Sequence, residues 1–436
     1  MNEIKTARRA FRHLQRWLRS SRVQRGKPLA VILGGSCNGL SFARSLGRRG
    51  IPTLLLDSER LLGTYTRFGK VVLLPPASES PDQWITFLEL VSSLLPQKGI
   101  LFATSDVHTL LVSRNRERLE RHFNFLVADS QALERIVNKR LQYETAQAAG
   151  IPMPAVYFPE TLEEARSMAG RVAYPCILKP YTSQPVRTKL AGKKVALVRS
   201  SGELITEYHR LNALGVPLMI QEIIPGGDDT LYGYLSFWDR EGREVAWLTK
   251  RKLRQSPPHF GNGSLHVTLE APEVAVLSRR LLQAFSYRGF ACAEFKLDAR
   301  DGVYRLVEIN PRTPLSNQVA IASGVDFPWI GYRYLTGQQD PAALAAPFRR
   351  NVTMVDEELD IQSFLTSWKA GSLTLGAWLR SLLSVRATAV WAWDDPMPML
   401  AGIGRFFRMC LTGNPHASPR VAPTIMPEAQ LATLRS

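Results

Sequence analysis

The stretch from Glu294 to Arg312 constrains this chain most. Phe290-Ala-Cys-Ala-Glu-Phe-Lys-Leu-Asp298 and Val303-Tyr-Arg-Leu-Val-Glu-Ile-Asn310 are two β-type runs, and Ala299-Arg-Asp-Gly302 between them supplies turn chemistry. A hairpin is therefore expected. Alternation places Glu294 and Lys296 on one face of the first strand, and Glu308 and Asn310 on one face of the second. Adjacent strands can then present three oxygen donors together, with the guanidinium of Arg312 beside them. Hard divalent cations take oxygen ligands, and a guanidinium favours an anion such as a phosphoryl group. Taken alone, the same segment also reads as a hairpin with a charged solvent face.

Further cations occur earlier in the chain. Tyr174-Pro-Cys-Ile-Leu-Lys179-Pro ends a strand in a lysine, and Asn138-Lys139 opens a helix that closes at Gly150 before Ile-Pro-Met-Pro154. Gln221-Glu-Ile-Ile-Pro-Gly226 and Lys252-Leu-Arg254 follow. In this order the motifs resemble the ATP-grasp superfamily, and more closely its carboxylate–amine ligase and biotin-carboxylase-related members, over roughly residues 29 to 337.

The resemblance implies a site. Lys139 and Lys179 would contact ATP phosphates, with Lys179 also near the base. Gln221, Glu222 and the residues through Ile224 would line the adenine slot, and Asp229 is the candidate for the ribose hydroxyls. Glu294, Glu308 and Asn310 would hold one or two magnesium ions, with manganese as an alternative. Arg312 would steady the transferred phosphoryl group, and Lys252 and Arg254 would meet the substrate carboxylate and its acyl phosphate. In one respect the chain departs from the family: the segment after Lys179-Pro, residues 181–194, has one glycine, so Arg187, Lys189, Lys193 and Lys194 would stand in for backbone contacts to phosphate.

The fold class expected is α/β and α+β: a Rossmann-like N-terminal domain, then a two-subdomain ATP-grasp fold. Leu29-Ala-Val-Ile-Leu33, a Gly34–Gly39 turn into a helix, and Thr53-Leu-Leu-Leu-Asp57 give the first domain its strand–helix–strand start. Its glycine spacing is not GxGxxG. A dinucleotide site with Asp57 on the ribose is the weaker alternative there, and Ser105 and Asp106, after a later strand, are candidates to face the acceptor. The boundaries expected are 1–28 for a basic N-terminal helix, 29–129 for the Rossmann-like domain, 130–340 for the ATP-grasp domain and 341–436 for an aromatic and basic extension.

The 436 residues carry a net charge of +17, and residues 1–27 hold nine Lys and Arg against the single acid Glu3. Such an excess invites an acidic partner. Phe11, Leu14, Trp17 and Leu18 form a helical stripe flanked by arginines, which suits either an anionic membrane surface or packing on the protein body. The four cysteines at 37, 176, 292 and 410 show no metal or disulfide spacing, and a reducing cytoplasm is the default, with the inner membrane surface as a further location. His259 has no catalytic partner pattern. The Trp-containing C-terminal runs suggest a lid, a subunit interface or membrane contact beside plain packing. Nucleic acid is not expected as a partner, and a homodimer stays open.

Together these features predict an ATP- and magnesium-dependent ligase that joins a small carboxylate to an amine through an acyl phosphate. A bicarbonate-using carboxylase of biotin-carboxylase type and a non-catalytic, membrane-associated nucleotide-binding scaffold remain alternatives.

Overall fold

The computed structural model describes residues 11–181, 195–338 and 347–412, with side chains as far as 407. The segment proposed as a phosphate lid, 182–194, lies outside the described residues.

Runs of Val, Ile and Leu bounded by Gly and Pro make the first sheet. Strands β1 (Ala30–Leu33), β2 (Thr53–Asp57), β3 (Lys70–Leu73), β4 (Gly99–Ala103) and β5 (Phe123–Asn124) are all parallel, in the order β3-β2-β1-β4-β5. β1 and β2 are buried throughout, as a parallel sheet covered on both faces requires. The turn after β1 enters the helix Cys37–Arg48 so tightly that a Cβ at Gly39 would overlap the Gly34 carbonyl. Asp57 is buried and accepts from the backbone amides of Gly35, Ser58 and Glu59. This carboxylate locks the loop, and is thus already used where a ribose contact would need it.

One face of the parallel sheet carries the N-terminal helix, which is helical over 11–18 among the described residues. Phe11, Leu14 and Leu18 sit in the same core as Val31, Leu54 and Trp84, with Trp17 against it. The apolar stripe that suited a lipid surface is therefore consumed by the protein body. The basic residues Arg12, Arg16 and Arg19 face solvent.

A second, four-stranded sheet follows, with β6 (Val156–Tyr157), β7 (Cys176–Pro180), β8 (Ala196–Val198) and β9 (Leu218–Glu222) in the order β6-β9-β7-β8. The third sheet has seven strands: β10 (Leu231–Trp238), β11 (Glu244–Ser256), β12 (Asn262–Thr268), β13 (Gly289–Leu297), β14 (Tyr304–Asn310), β15 (Thr353–Val355) and β16 (Val385–Thr388). Its order is β14-β13-β10-β11-β12-β15-β16. Leu235, Phe237 and Cys292 of this sheet share a core with Ile32, Phe42 and Phe102, so the parallel domain packs directly on it.

The described residues from 347 to 407 pack on the body of the protein. They add β15 and β16 to the large sheet, and Asp360 binds them to β11 and β12. Asp360 accepts from Arg254 Nε (2.9 Å) and Nη2 (2.8 Å), Ser264 Oγ (2.8 Å) and Trp378 Nε1 (2.8 Å). Farther on, buried Asp395 pairs with Arg44 at 2.9 Å and reaches back to the first domain. No helix among the described residues is long and apolar enough to cross a membrane.

Leu18 is fully buried beneath the parallel sheet. Leu18→Ala should cost about 2–5 kcal/mol in urea denaturation, the usual range for such a cavity. An unchanged midpoint would mean that the helix does not belong to the core.

Candidate functional site

A cleft of about 360 Å³ opens between the small and large sheets. It contains Lys139, Lys179, Gln221, Glu222, Ile224, Lys252, Glu294, Glu308, Asn310 and Arg312, and so unites nearly all of the residues singled out in the sequence.

The expected hairpin forms its floor. β13 and β14 pair antiparallel with Glu294 directly opposite Glu308 and Cys292 opposite Asn310. Like charges facing each other across two strands are unfavourable unless cations intervene. One is Lys252, whose Nζ lies 2.8 Å from Glu294 Oε2. Burial opposes the Lys252 ammonium, but Glu294 and Glu308 outweigh it and raise its pKa. Lys139 Nζ lies 3.9 Å from Glu308 Oε2. From Glu308 a hydrogen-bond chain runs outward: Asn310 Nδ2 donates to Glu308 Oε1 (3.0 Å), Arg312 Nη2 donates to Asn310 Oδ1 (3.3 Å), and Arg312 Nε donates to Asp106 Oδ1 (2.9 Å). Asp106 thus faces the site through Arg312. Ser105 caps its own helix by accepting from His108 N.

The opposite wall comes from the small sheet. Asn138 caps the helix Lys139–Ala148 by accepting from the Arg140 and Leu141 amides, and Lys139 N donates to the Tyr181 carbonyl at 2.8 Å. This ties the helix start to the end of β7, where Lys179 stands. Burial, then neighbouring Lys139, push Lys179 down to about 7, against the pull of Glu308. Apolar Ile177, Ile224, Leu231 and Val307 line a slot beside it. Glu222 is engaged with the Ala155 amide (2.9 Å) and with Arg300 (2.5 Å).

Two expected contributors lie elsewhere. Strict alternation would put Arg254 on the face of Lys250 and Lys252, but the pairing of β11 with β12 slips on both sides of Arg254. The bulge brings Gln255 into the cleft and turns Arg254 to Asp360 and Ser381. Asp229 is exposed in the turn Asp228–Thr230, outside the cleft lining. Its neighbour Asp228 accepts instead from Gln255 Nε2 (2.8 Å) and the His259 amide (3.0 Å). His259 itself sits at the cleft rim on an exposed loop.

Sequence reasoning missed a buried cluster behind Lys252. Lys250 Nζ donates to Ser316 Oγ at 2.5 Å and lies 3.3 Å from His266 Nδ1. Burial lowers both pKa values, and Lys250 and Lys252 depress His266 further. The period-two spacing of Lys250 and Lys252 puts them on one strand face, but the pairing of Lys252 with His266 depends on strand register, which that spacing does not reveal. A second cavity of about 180 Å³ shares Asn262 and Leu315 with the cleft and is lined by Cys37, Asp356, Glu358 and Arg405. Burial, with help from Glu357 and Glu358, pushes Asp356 up to about 7. Burial and then Asp356 raise the Cys37 thiol well above its ordinary value.

Six Lys and Arg side chains face three carboxylates in the cleft lining, a balance that favours an anion. Its donor set also suits a hard cation. The opposed carboxylates of Glu294 and Glu308, with the Asn310 amide beside them, are oxygen ligands whose mutual repulsion a divalent ion would relieve.

No family model matches the sequence. The chain is 24% identical over 347 residues to a D-aspartate ligase of Enterococcus faecium (strain Aus0004), covering 72% of this chain and 81% of that protein. Its structure resembles that of carboxyaminoimidazole ribonucleotide synthase from Aspergillus clavatus complexed with ATP, with a TM-score of 0.55, 17% identity, and 74% and 80% of the two chains covered. It also resembles a biotin carboxylase–β-γ-ATP complex from Campylobacter jejuni, with a TM-score of 0.56, 15% identity and 74% of each chain covered. At these identities the structural likeness is one of fold. Motif order, sheet architecture and these likenesses agree on the fold: the chain has the ATP-grasp architecture that carboxyaminoimidazole ribonucleotide synthase and biotin carboxylase share.

Proposed function

We propose that the chain is an ATP- and magnesium-dependent ligase that activates a carboxylate as an acyl phosphate for attack by an amine, releasing ADP and phosphate. The observation that carries this proposal is the facing pair Glu294 and Glu308, flanked by Lys252 and Arg312 and opposed across the cleft by Lys139 and Lys179. The D-aspartate ligase among its relatives supports it.

In this assignment the apolar slot of Ile177, Ile224, Leu231 and Val307 takes the base, beside Gln221 and Glu222. Lys139 and Lys179 take phosphate oxygens. Glu294, Glu308 and Asn310 would hold magnesium, or manganese, whose charge would neutralise the phosphates. Lys252 and Arg312 supply the remaining positive charge, where phosphoryl transfer depends mainly on positioning and electrostatics. A substrate carboxylate oxygen attacks the γ-phosphorus, and the bond to the β-phosphate oxygen breaks to release ADP. The amine then attacks the acyl carbon, phosphate leaves, and one amine proton is lost. No side-chain nucleophile is needed. The adjoining cavity, with Asp356 and Glu358 on its wall, is the candidate approach for the amine. Arg254 and Asp229, placed outside the cleft, have no part in this assignment.

Glu308→Gln keeps the shape of the side chain and removes one of the two facing charges. Metal-dependent nucleotide binding and ADP release should fall together, each by tenfold or more, on the order of the effect of losing one charged metal ligand. A folded variant with unaltered turnover would refute the metal assignment. The test is ADP release with magnesium and panels of acids and amines, scored against AMP release.

Lys179 gives a second test. At pH 8 an amine that titrates near 7 is mostly neutral, whereas bound phosphate restores the ammonium. Mg-ATP binding should therefore take up about one proton at pH 8 and much less at pH 6, as calorimetry in buffers of different ionisation enthalpy reports. Lys179→Met should remove the difference. Equal uptake in wild type and variant would show that Lys179 does not meet the phosphates.

A further inference from the structure

Sixteen large apolar side chains are exposed among the described residues, and eleven of them lie within residues 361–407. They follow helical spacing. Trp368 stands on the outer side of the helix Glu357–Lys369, Leu379 follows on the helix Leu375–Leu382 with Leu383 just past its end, and Ile403 and Phe407 lie on the helix Met397–Thr412. Trp393 is 87% exposed. The inner sides of the first two helices are already occupied, since Phe364 stacks on Trp378 at 4.5 Å and Trp378 bonds Asp360. The helix Leu375–Leu382 nevertheless buries no residue at all. Its apolar outer surface is thus a second hydrophobic face, and a cluster of this kind marks an interaction site.

Charge selects the occupant. From residue 361 to 412 the sequence contains two acids, Asp394 and Asp395, and both are paired, with Arg48 and Arg44. The acids of the preceding helical turn are also engaged: Asp360 holds Arg254, Glu358 holds Arg405, and Glu357 accepts from the backbone at 389–391. Lys369, Arg380 and Arg386 are exposed among the apolar residues. A second copy of this chain would bring the same positive charges against themselves. A bilayer with anionic headgroups offers negative charge above hydrocarbon, and tryptophan is favoured at that boundary.

We propose that the outer face of the C-terminal helices, residues 361–407, docks on an anionic lipid surface, with Leu379, Leu383 and Trp393 entering the headgroup layer and Lys369, Arg380 and Arg386 meeting phosphate. This surface is separate from the cleft and from the N-terminal helix, whose apolar stripe is spent inside the protein.

The full chain is sedimented with phosphatidylcholine vesicles with or without phosphatidylglycerol. Binding is expected only with the anionic lipid, weakening as salt rises. L379S/L383S/W393S, all at exposed positions, should lower the partition coefficient by more than about tenfold, since three apolar side chains no longer leave water on binding. K369Q/R380Q/R386Q should remove the salt dependence. Thermal denaturation confirms that both variants fold. Absence of vesicle binding by the folded wild type overturns the proposal, as does binding that both variants leave unchanged. So does an oligomer that L379S/L383S/W393S converts to monomer without any lipid binding, which would assign the face to a second copy.

Discussion

Two carboxylates held face to face across β13 and β14 are the constraint around which this molecule is arranged. Such a pair is unfavourable alone, and the cations that offset it come from separate parts of the chain: Lys252 from β11, Lys139 from a helix start, and Arg312 through Asn310. Each compensation is also a tether. Lys139 is anchored by its backbone to the end of β7, which brings the small sheet over the large one. Arg312 reaches Asp106 and ties the site to the parallel domain. The electrostatic need of one hairpin thereby coincides with the meeting of all three sheets.

Behind this pair the large sheet separates a cleft face from a structural one. Lys250 and Lys252 share the cleft face, where Lys250 is satisfied by Ser316 and His266. One bulge later, Arg254 belongs to the structural face, where its pair with Asp360 secures the C-terminal segment. The same residue type in the same motif therefore serves two ends, decided by a shift in strand register. The C-terminal segment completes the sheet on its inner side, while its outer side is left apolar and cationic.

The hairpin was legible in the sequence because alternation, turn residues and charged positions all agree there, and the helix from Lys139 because Asn138 and Gly150 mark its two ends. The placement of Arg254 was not, because a bulge at Leu253 leaves no trace in composition. Asp229 and Asp228 are adjacent acids in one short turn, and only the chain direction decides which faces the wall. The N-terminal stripe was ambiguous for a physical reason: an apolar face flanked by arginine looks the same whether lipid or a protein core covers it. β15 and β16, of three and four residues, are too short to display a period and are strands only through their partners. The buried Lys250–His266 contact depends on cross-strand register, which pairs residues distant in sequence.

The most direct measurement follows an oxygen atom. An acyl phosphate requires that one oxygen of the substrate carboxylate leave with phosphate, since the C–O bond to the phosphoryl group breaks when the amine attacks. With an acid that supports ADP release, labelled at its carboxylate with oxygen-18, the inorganic phosphate formed should carry one labelled oxygen for each amide made. Unlabelled phosphate from a turnover that makes the amide would contradict carboxylate activation by this cleft.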